Sequence, residues 1–203
     1  MSGAWPLLLL TMSVSKCSSP ILLGDSIFRR MFEKYPEKFD PLSAQFCIGG
    51  QRVHELKKSV KASRNLLFER RLCLLIGIND LLKGTPYVDI KLQIKSLIKL
   101  LAKFGCELTI VEVLPCPKYK LESEFQNLIF DLNRYLRSFV RKEVMVISTV
   151  NSFMYNGQID RGMYCKSMGK GNRQRVDLIH PNKEGLYRLY FVLWNMHFLL
   201  LVP

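Results

Sequence analysis

The sequence predicts an α/β chain folded as a three-layer α/β/α sandwich around a five-stranded parallel sheet. Two observations carry this. Five short apolar runs, at residues 21–23, 44–48, 72–76, 108–113 and 144–147, have the length of strands and are bounded by turn residues. Between them lie helix-like stretches at 28–34, 53–67, 88–104 and 121–141, with a last one at 183–200. Strands that read as continuous apolar runs are covered on both faces, and alternation with helices forces right-handed parallel crossovers. The expected strand order is 2-1-3-4-5, and a working site should lie at the carboxyl ends of the strands.

Each element has its own justification. Ile21, Leu22 and Leu23 run straight into Gly24-Asp25-Ser26, a turn and helix-start sequence. The second run ends in Gly49-Gly50, where a tight turn is open to residues without a side chain. The third ends in Gly77-Ile78-Asn79-Asp80. In the 88–104 stretch, Ile90, Ile94, Leu97, Ile98 and Leu101 form an apolar face opposite lysines 91, 95, 99 and 103, which recur every four residues. Residues 186–202 are apolar but include Arg188, Asn195 and His197 and are slightly short for a bilayer, so they read as a buried C-terminal helix. No membrane partner is expected from it.

Composition narrows the classes. A chain of 203 residues with 48% hydrophobic and 23% charged residues fits one globular domain, and no linker or repeat divides it. Residues 20–203 are taken as that domain. Residues 1–19 form an N-terminal extension or a signal segment, with an apolar run at 4–12 but no basic n-region. Six cysteines without CxxC or zinc spacing read as mostly free thiols, which favours an intracellular, reducing compartment unless the N-terminal run directs secretion. Three histidines and no clustered carboxylates argue against a metal site. The segment 167–171 does not fit a phosphate-binding loop and reads as a basic loop leading to Asp177.

Charge adds a second theme. Thirty Lys and Arg against seventeen Asp and Glu give a net charge of +13. The excess concentrates at Lys57, Lys58 and Lys61 and at Lys91, Lys95, Lys99 and Lys103. These are either solvated helix faces or a footprint for RNA or another polyanion.

The chemistry lies in four short motifs: Gly24-Asp25-Ser26, Gly50, Asn79-Asp80 and Asp177-Leu178-Ile179-His180. Singly, each is a common turn or cap. Their order, three of them directly after strands one, two and three, resembles the block pattern of the SGNH (GDSL-type) hydrolase superfamily over residues 21–200. That resemblance implies a flavodoxin-like fold and a serine-dependent esterase without a cofactor, acting on a small acyl-ester substrate. It implies Ser26 as nucleophile, His180 as base and Asp177 as its orienter, with the backbone N–H groups of Ser26 and Gly50 and the Asn79 amide at the oxyanion. Val113-Leu114-Pro115 is similar to a segment that lines the substrate pocket in many members. The sequence departs from the pattern before Gly50, where Gln45 and Phe46 stand in place of a common asparagine. In its basic character the chain also resembles the SGNH-like domain of the insect Oskar protein, which implies the alternative of an RNA-binding module that has lost its catalytic residues. Here every catalytic position is kept.

Overall fold

A computed structural model describes residues 19–168 and 175–198. The extension at 1–18, the centre of the 167–171 loop and the last residues of the C-terminal run lie outside them. Four parallel strands, β1 (Ile21–Gly24), β2 (Arg71–Leu75), β3 (Glu107–Val111) and β4 (Val144–Ile147), form the sheet in the order β1-β2-β3-β4. The helices are α1 (Ser26–Lys34), α2 (Ser43–Phe46), α3 (Val53–Ala62), α4 (Arg64–Leu67), α5 (Ile78–Leu82), α6 (Tyr87–Ala102), α7 (Glu124–Arg137) and α8 (Lys183–Phe198). Two short antiparallel hairpins, β5 (Met154–Tyr155) with β6 (Gln158–Ile159) and β7 (Ser167–Met168) with β8 (Arg175–Val176), come after the sheet in the chain.

The three layers come from strand alternation. Ile21, Leu23, Leu72, Leu74, Leu108 and Ile110 face one core with the apolar sides of α3, α6 and α7. Leu22, Cys73, Leu75, Val111 and Ile147 face the other, with α1 and α8. Burial on both faces explains the unbroken apolar strands. It also makes α8 one-sided: Leu186, Leu189 and Leu193 are buried, while Tyr187 and Phe191 are half exposed. No helix among the described residues is long and apolar enough to cross a membrane.

The predicted sheet differs in one place. Residues 44–48 do not make a fifth strand; they form α2 and a single parallel bridge from Cys47 to Gly24. Side chains take over the ladder here. The Leu22 N–H donates to Ser43 Oγ at 2.9 Å, and Cys47 Sγ donates to the Leu22 carbonyl at 3.3 Å. The bridge lies beside β1, where the predicted order placed the second strand, but the sheet itself has four strands. The predicted helix at 53–67 also breaks, at Ser63, into α3 and α4.

Two residues at the end of β1 set the path of the chain into α1. A Cβ on Gly24 would stand 2.4 Å from the Leu75 carbonyl oxygen, so β1 and β2 approach too closely there for any side chain. Asp25 is fully buried, and its Oδ1 accepts from the Ile27 N–H at 2.9 Å, which caps α1 and starts that helix at Ser26. Burial raises the Asp25 carboxyl from 3.8 to about 7, against the pull of the Ile27 N–H and with help from nearby Asp80.

The folded state therefore keeps a proton on Asp25 up to about pH 7, whereas the unfolded chain releases it near 3.8. As pH rises through this window, the folded state loses ground by an amount of order a few kcal/mol. Asparagine mimics the protonated carboxyl and has no such dependence. Chemical denaturation of Asp25→Asn and wild type should thus show a stability difference that moves in favour of the variant between pH 5 and pH 8. A difference independent of pH would contradict the buried, protonated carboxyl.

Candidate active site

The site is assembled at the carboxyl edge from the β1–α1 junction, the loop after Cys47, the start of α5 and the loop before α8. Ser26 is the first residue of α1 and is partly buried. His180 lies 154 positions away in sequence, yet its Nε2 is 2.8 Å from Ser26 Oγ. On the other side of the ring, Nδ1 stands 2.8 Å and 3.0 Å from the two carboxylate oxygens of Asp177. A proton held on Nδ1 by that carboxylate leaves Nε2 as the acceptor for the serine hydroxyl.

The loop that brings His180 here is locally costly. Leu178 has φ of +49°, a left-handed conformation unusual for a non-glycine residue. Neighbours hold it. The Leu178 N–H donates to the Cys165 carbonyl at 2.8 Å, the Cys165 N–H donates to the His180 carbonyl at 2.9 Å, and the Lys118 N–H donates to the Leu178 carbonyl at 3.3 Å. Within the turn, Asp177 Oδ1 accepts from the N–H groups of Ile179 and His180 at 3.2 Å and 3.3 Å. The carboxylate is thereby aimed at the ring by its own backbone.

Electrostatics favours a neutral imidazole. Burial lowers the His180 pKa from 6.5, and the hydrogen bond and charge of Asp177 oppose this. Arg30 and Arg29 lower it further. At neutral pH the ring is unprotonated and able to accept a proton.

Gly50 and Asn79 belong to one fastened unit. Gly50 has φ of +77°, which glycine adopts without strain, and open space lies where its Cβ would be. Asn79, in the first turn of α5, donates through Nδ2 to the Gln51 carbonyl at 3.1 Å and to Asp25 Oδ2 at 3.3 Å. Gln51 is buried and, with its amide nitrogen turned toward them, donates to the carbonyls of Phe46 and Gly24 at 2.9 Å and 2.7 Å. The loop is thus supported by the side chain of Gln51, downstream of Gly50. Asp80 is buried beside it. Its Oδ2 accepts from the Val53 N–H at 3.1 Å and its Oδ1 has no partner among the described residues, so burial raises its pKa.

Other predicted residues lie elsewhere. Val113, Leu114 and Pro115 are buried, with Val113 paired to Asn133 and the Pro115 carbonyl accepting from the Tyr164 hydroxyl. They underpin the edge. Lys57, Lys58 and Lys61 are on α3, and Lys91, Lys95, Lys99 and Lys103 are on or just after α6. These helices pack together on the face of the sheet away from α1 and α8. A cavity of about 530 Å³ between residues 105–109 and 141–145 sits at the opposite, amino edge of the sheet, and none of Ser26, Asp177 or His180 lines it. Among the described residues no group of three or more His, Cys, Asp or Glu stands where it could share a metal ion.

Sequence reasoning missed Gln51, Cys165 and the two arginines of α1. The arginines alone left a signal, since they come after Ser26 at helical spacing.

Comparison with known proteins places this geometry in a family. No curated protein matches the chain at a significant level. The crystal structure of the OSK domain of Drosophila Oskar is similar with a TM-score of 0.72 at 16% identity, covering 89% of this chain and 91% of that one. A putative acylhydrolase from Bacteroides fragilis gives 0.66 at 16% identity, covering 87% and 84%. A carbohydrate esterase family 3 structure from Talaromyces cellulolyticus gives 0.63 at 12% identity, covering 90% and 97%. At these identities the likeness is one of fold, that of the SGNH-like proteins. The model of the OSK domain matches residues 21–183, most of the sequence, and the chain belongs to the OSK domain family.

Proposed function

We propose that the chain is a serine hydrolase of carboxylic esters. The observation that carries this reading is the continuous relay from Ser26 Oγ to His180 Nε2 at 2.8 Å and from His180 Nδ1 to Asp177 at 2.8 Å. A module that only binds has no physical need to hold an unprotonated, partly buried imidazole against a hydroxyl.

In this mechanism Ser26 Oγ attacks the ester carbonyl carbon while His180 takes the hydroxyl proton. Asp177 stabilises the imidazolium that forms. The carbonyl oxygen becomes an oxyanion, received by the backbone N–H groups of Ser26 and Gly50 and by the Asn79 amide. Asn79 would trade its longer contact, the 3.3 Å one to Asp25, for that oxygen. A protonated Asp25 makes the exchange cheaper than an ionised one would. Each such donor is worth about 3 kcal/mol in the transition state. His180 then passes its proton to the leaving alcohol, and water attacks the acyl-Ser26 ester by the same route in reverse. Acetylated sugars, lipids and other small acyl compounds all suit this chemistry.

Labelling with a fluorophosphonate probe tests the activated serine without knowledge of the substrate. Ser26→Ala should abolish labelling and ester turnover with thermal stability nearly unchanged. Asp177→Asn should cost roughly 10⁴ in rate, since an amide holds the wrong imidazole tautomer. Labelling that persists in Ser26→Ala would remove the nucleophile assignment.

A second reading, binding of RNA, is favoured by one arrangement. Lys58 and Lys61 on α3 and Lys95, Lys99 and Lys103 along α6 are all exposed on adjacent helices of one face. Such a face attracts a phosphate backbone. If it binds RNA, filter-binding affinity should fall steeply with salt, and charge reversal at Lys95 and Lys99 should weaken binding to all sequences. Weak binding that the reversal leaves unchanged would reduce these lysines to solubility.

A further inference from the structure

Two arginines flank the Ser26–His180 pair and take no part in the acyl transfer itself. Arg29 and Arg30 stand one turn after Ser26 on α1, at the spacing that places side chains on neighbouring positions of one helix face. They diverge from there. The Arg29 guanidinium lies against the glycine loop, its Nη1 3.0 Å and its Cζ 3.4 Å from where a Cβ on Gly49 would be. Arg30 reaches the histidine side instead, its Nη1 3.5 Å from Cys165 Sγ, and Cys165 is the residue whose N–H donates to the His180 carbonyl. One cation therefore borders the residue next to Gly50, and the other borders the loop of His180.

Neither charge is cancelled within the site. The ion pair of Arg29 is an exposed one with Glu33 at 3.5 Å, which water and salt screen, and Arg30 has no ion pair among the described residues. Their field reaches the catalytic ring, because both lower the His180 pKa against the opposing charge of Asp177. Attack on a neutral ester makes no use of two uncancelled guanidinium groups, one against the glycine loop and one against the loop of His180. An anion seated between them would gain charge-assisted and bidentate hydrogen bonds.

We propose that Arg29 and Arg30 form a recognition site for an anionic group, and that the substrates of this site are esters carrying a carboxylate or phosphate within a few bonds of the scissile carbonyl. This rests on the esterase reading. The anion makes and breaks no bond; the Ser26 to acyl-carbon bond forms, the acyl-carbon to alkoxy-oxygen bond breaks, and the proton travels through His180 to the leaving alcohol. A bound anion also offsets the two cations that add to the effect of burial in lowering the His180 pKa, so the ring becomes a better base when this class of substrate is in place.

The test compares kcat/KM on matched esters. With the anion on the acyl side, mono-4-nitrophenyl glutarate is set against 4-nitrophenyl butyrate; with it on the alcohol side, 4-acetoxybenzoate is set against phenyl acetate. The wild type should favour the anionic member of at least one pair, which also tells on which side the charge is read. In the double variant Arg29→Gln, Arg30→Gln the anionic-to-neutral ratio should fall about 10-fold or more, the effect expected of losing charged hydrogen bonds. Lysine at both positions keeps the charge without the guanidinium fork, and should lose less of that ratio than glutamine does. Loss of the cations should also move the acid limb of kcat/KM to higher pH, a shift that mere loosening of α1 would not produce. A ratio equal in wild type and double variant, or a wild-type preference for both neutral esters, overturns this inference while probe labelling of Ser26 upholds the esterase reading. No labelling and no turnover of any of the four esters overturns both.

Discussion

The buried carboxyl group of Asp25 ties the helix that opens with Ser26 to the helix that carries Asn79. It sits without solvent contact at the end of β1, where one oxygen receives the Ile27 N–H and the other the Asn79 amide. The first contact decides where α1 begins and hence that Ser26 is its opening residue. The second ties α5 to the same point, and through Asn79 and Gln51 the glycine loop is tied there too. The starts of α1 and α5, remote in sequence, thus share one buried carboxyl, and the glycine loop is reached from it through Asn79. Such a group is stable in the interior only because its lone pairs are engaged and its proton is retained, and both conditions come from the surrounding backbone.

Much of this is legible in the residues because local and global signals agree. The apolar runs at 21–23, 72–76, 108–113 and 144–147 each contain a strand, and the motifs after the first and third fall where strand ends converge. The run at 44–48 misleads for a definite reason. Its apolar residues Phe46 and Cys47 are buried as a strand's would be, but Ser43 and Cys47 satisfy the neighbouring backbone through side chains, which periodicity does not register. The apolar pattern also starts the first helix two residues late, at 28 rather than at Ser26, because capping by Asp25 depends on burial. The support of Gly50 by Gln51 and the left-handed turn at Leu178 are tertiary outcomes. No residue type in either place announces them.

The charge of the chain divides into two separate populations. Lysines on α3 and α6 lie on the outer surface of one helical layer, most of them exposed. Arginines on α1 stand at the carboxyl edge, half covered and held by contacts to Gly49 and Cys165. The first arrangement is the one behind the proposed RNA reading and the second the one behind the proposed anion site. The net charge of +13 is therefore placed in structurally different ways, on open helix faces and at the carboxyl edge.

The side-chain closure of β1 has a consequence for how the molecule meets copies of itself. An outermost strand ordinarily presents a row of unpaired donors and acceptors that a second chain can extend, the usual route to strand exchange and fibrils. Here Ser43 Oγ takes the Leu22 N–H, Cys47 Sγ takes the Leu22 carbonyl, and the Ile48 N–H reaches the Gly24 carbonyl at 3.3 Å. The edge is occupied by a single helical turn and one bridging residue. A full strand there would only have moved the exposed row one position outward, whereas α2 brings it to a stop.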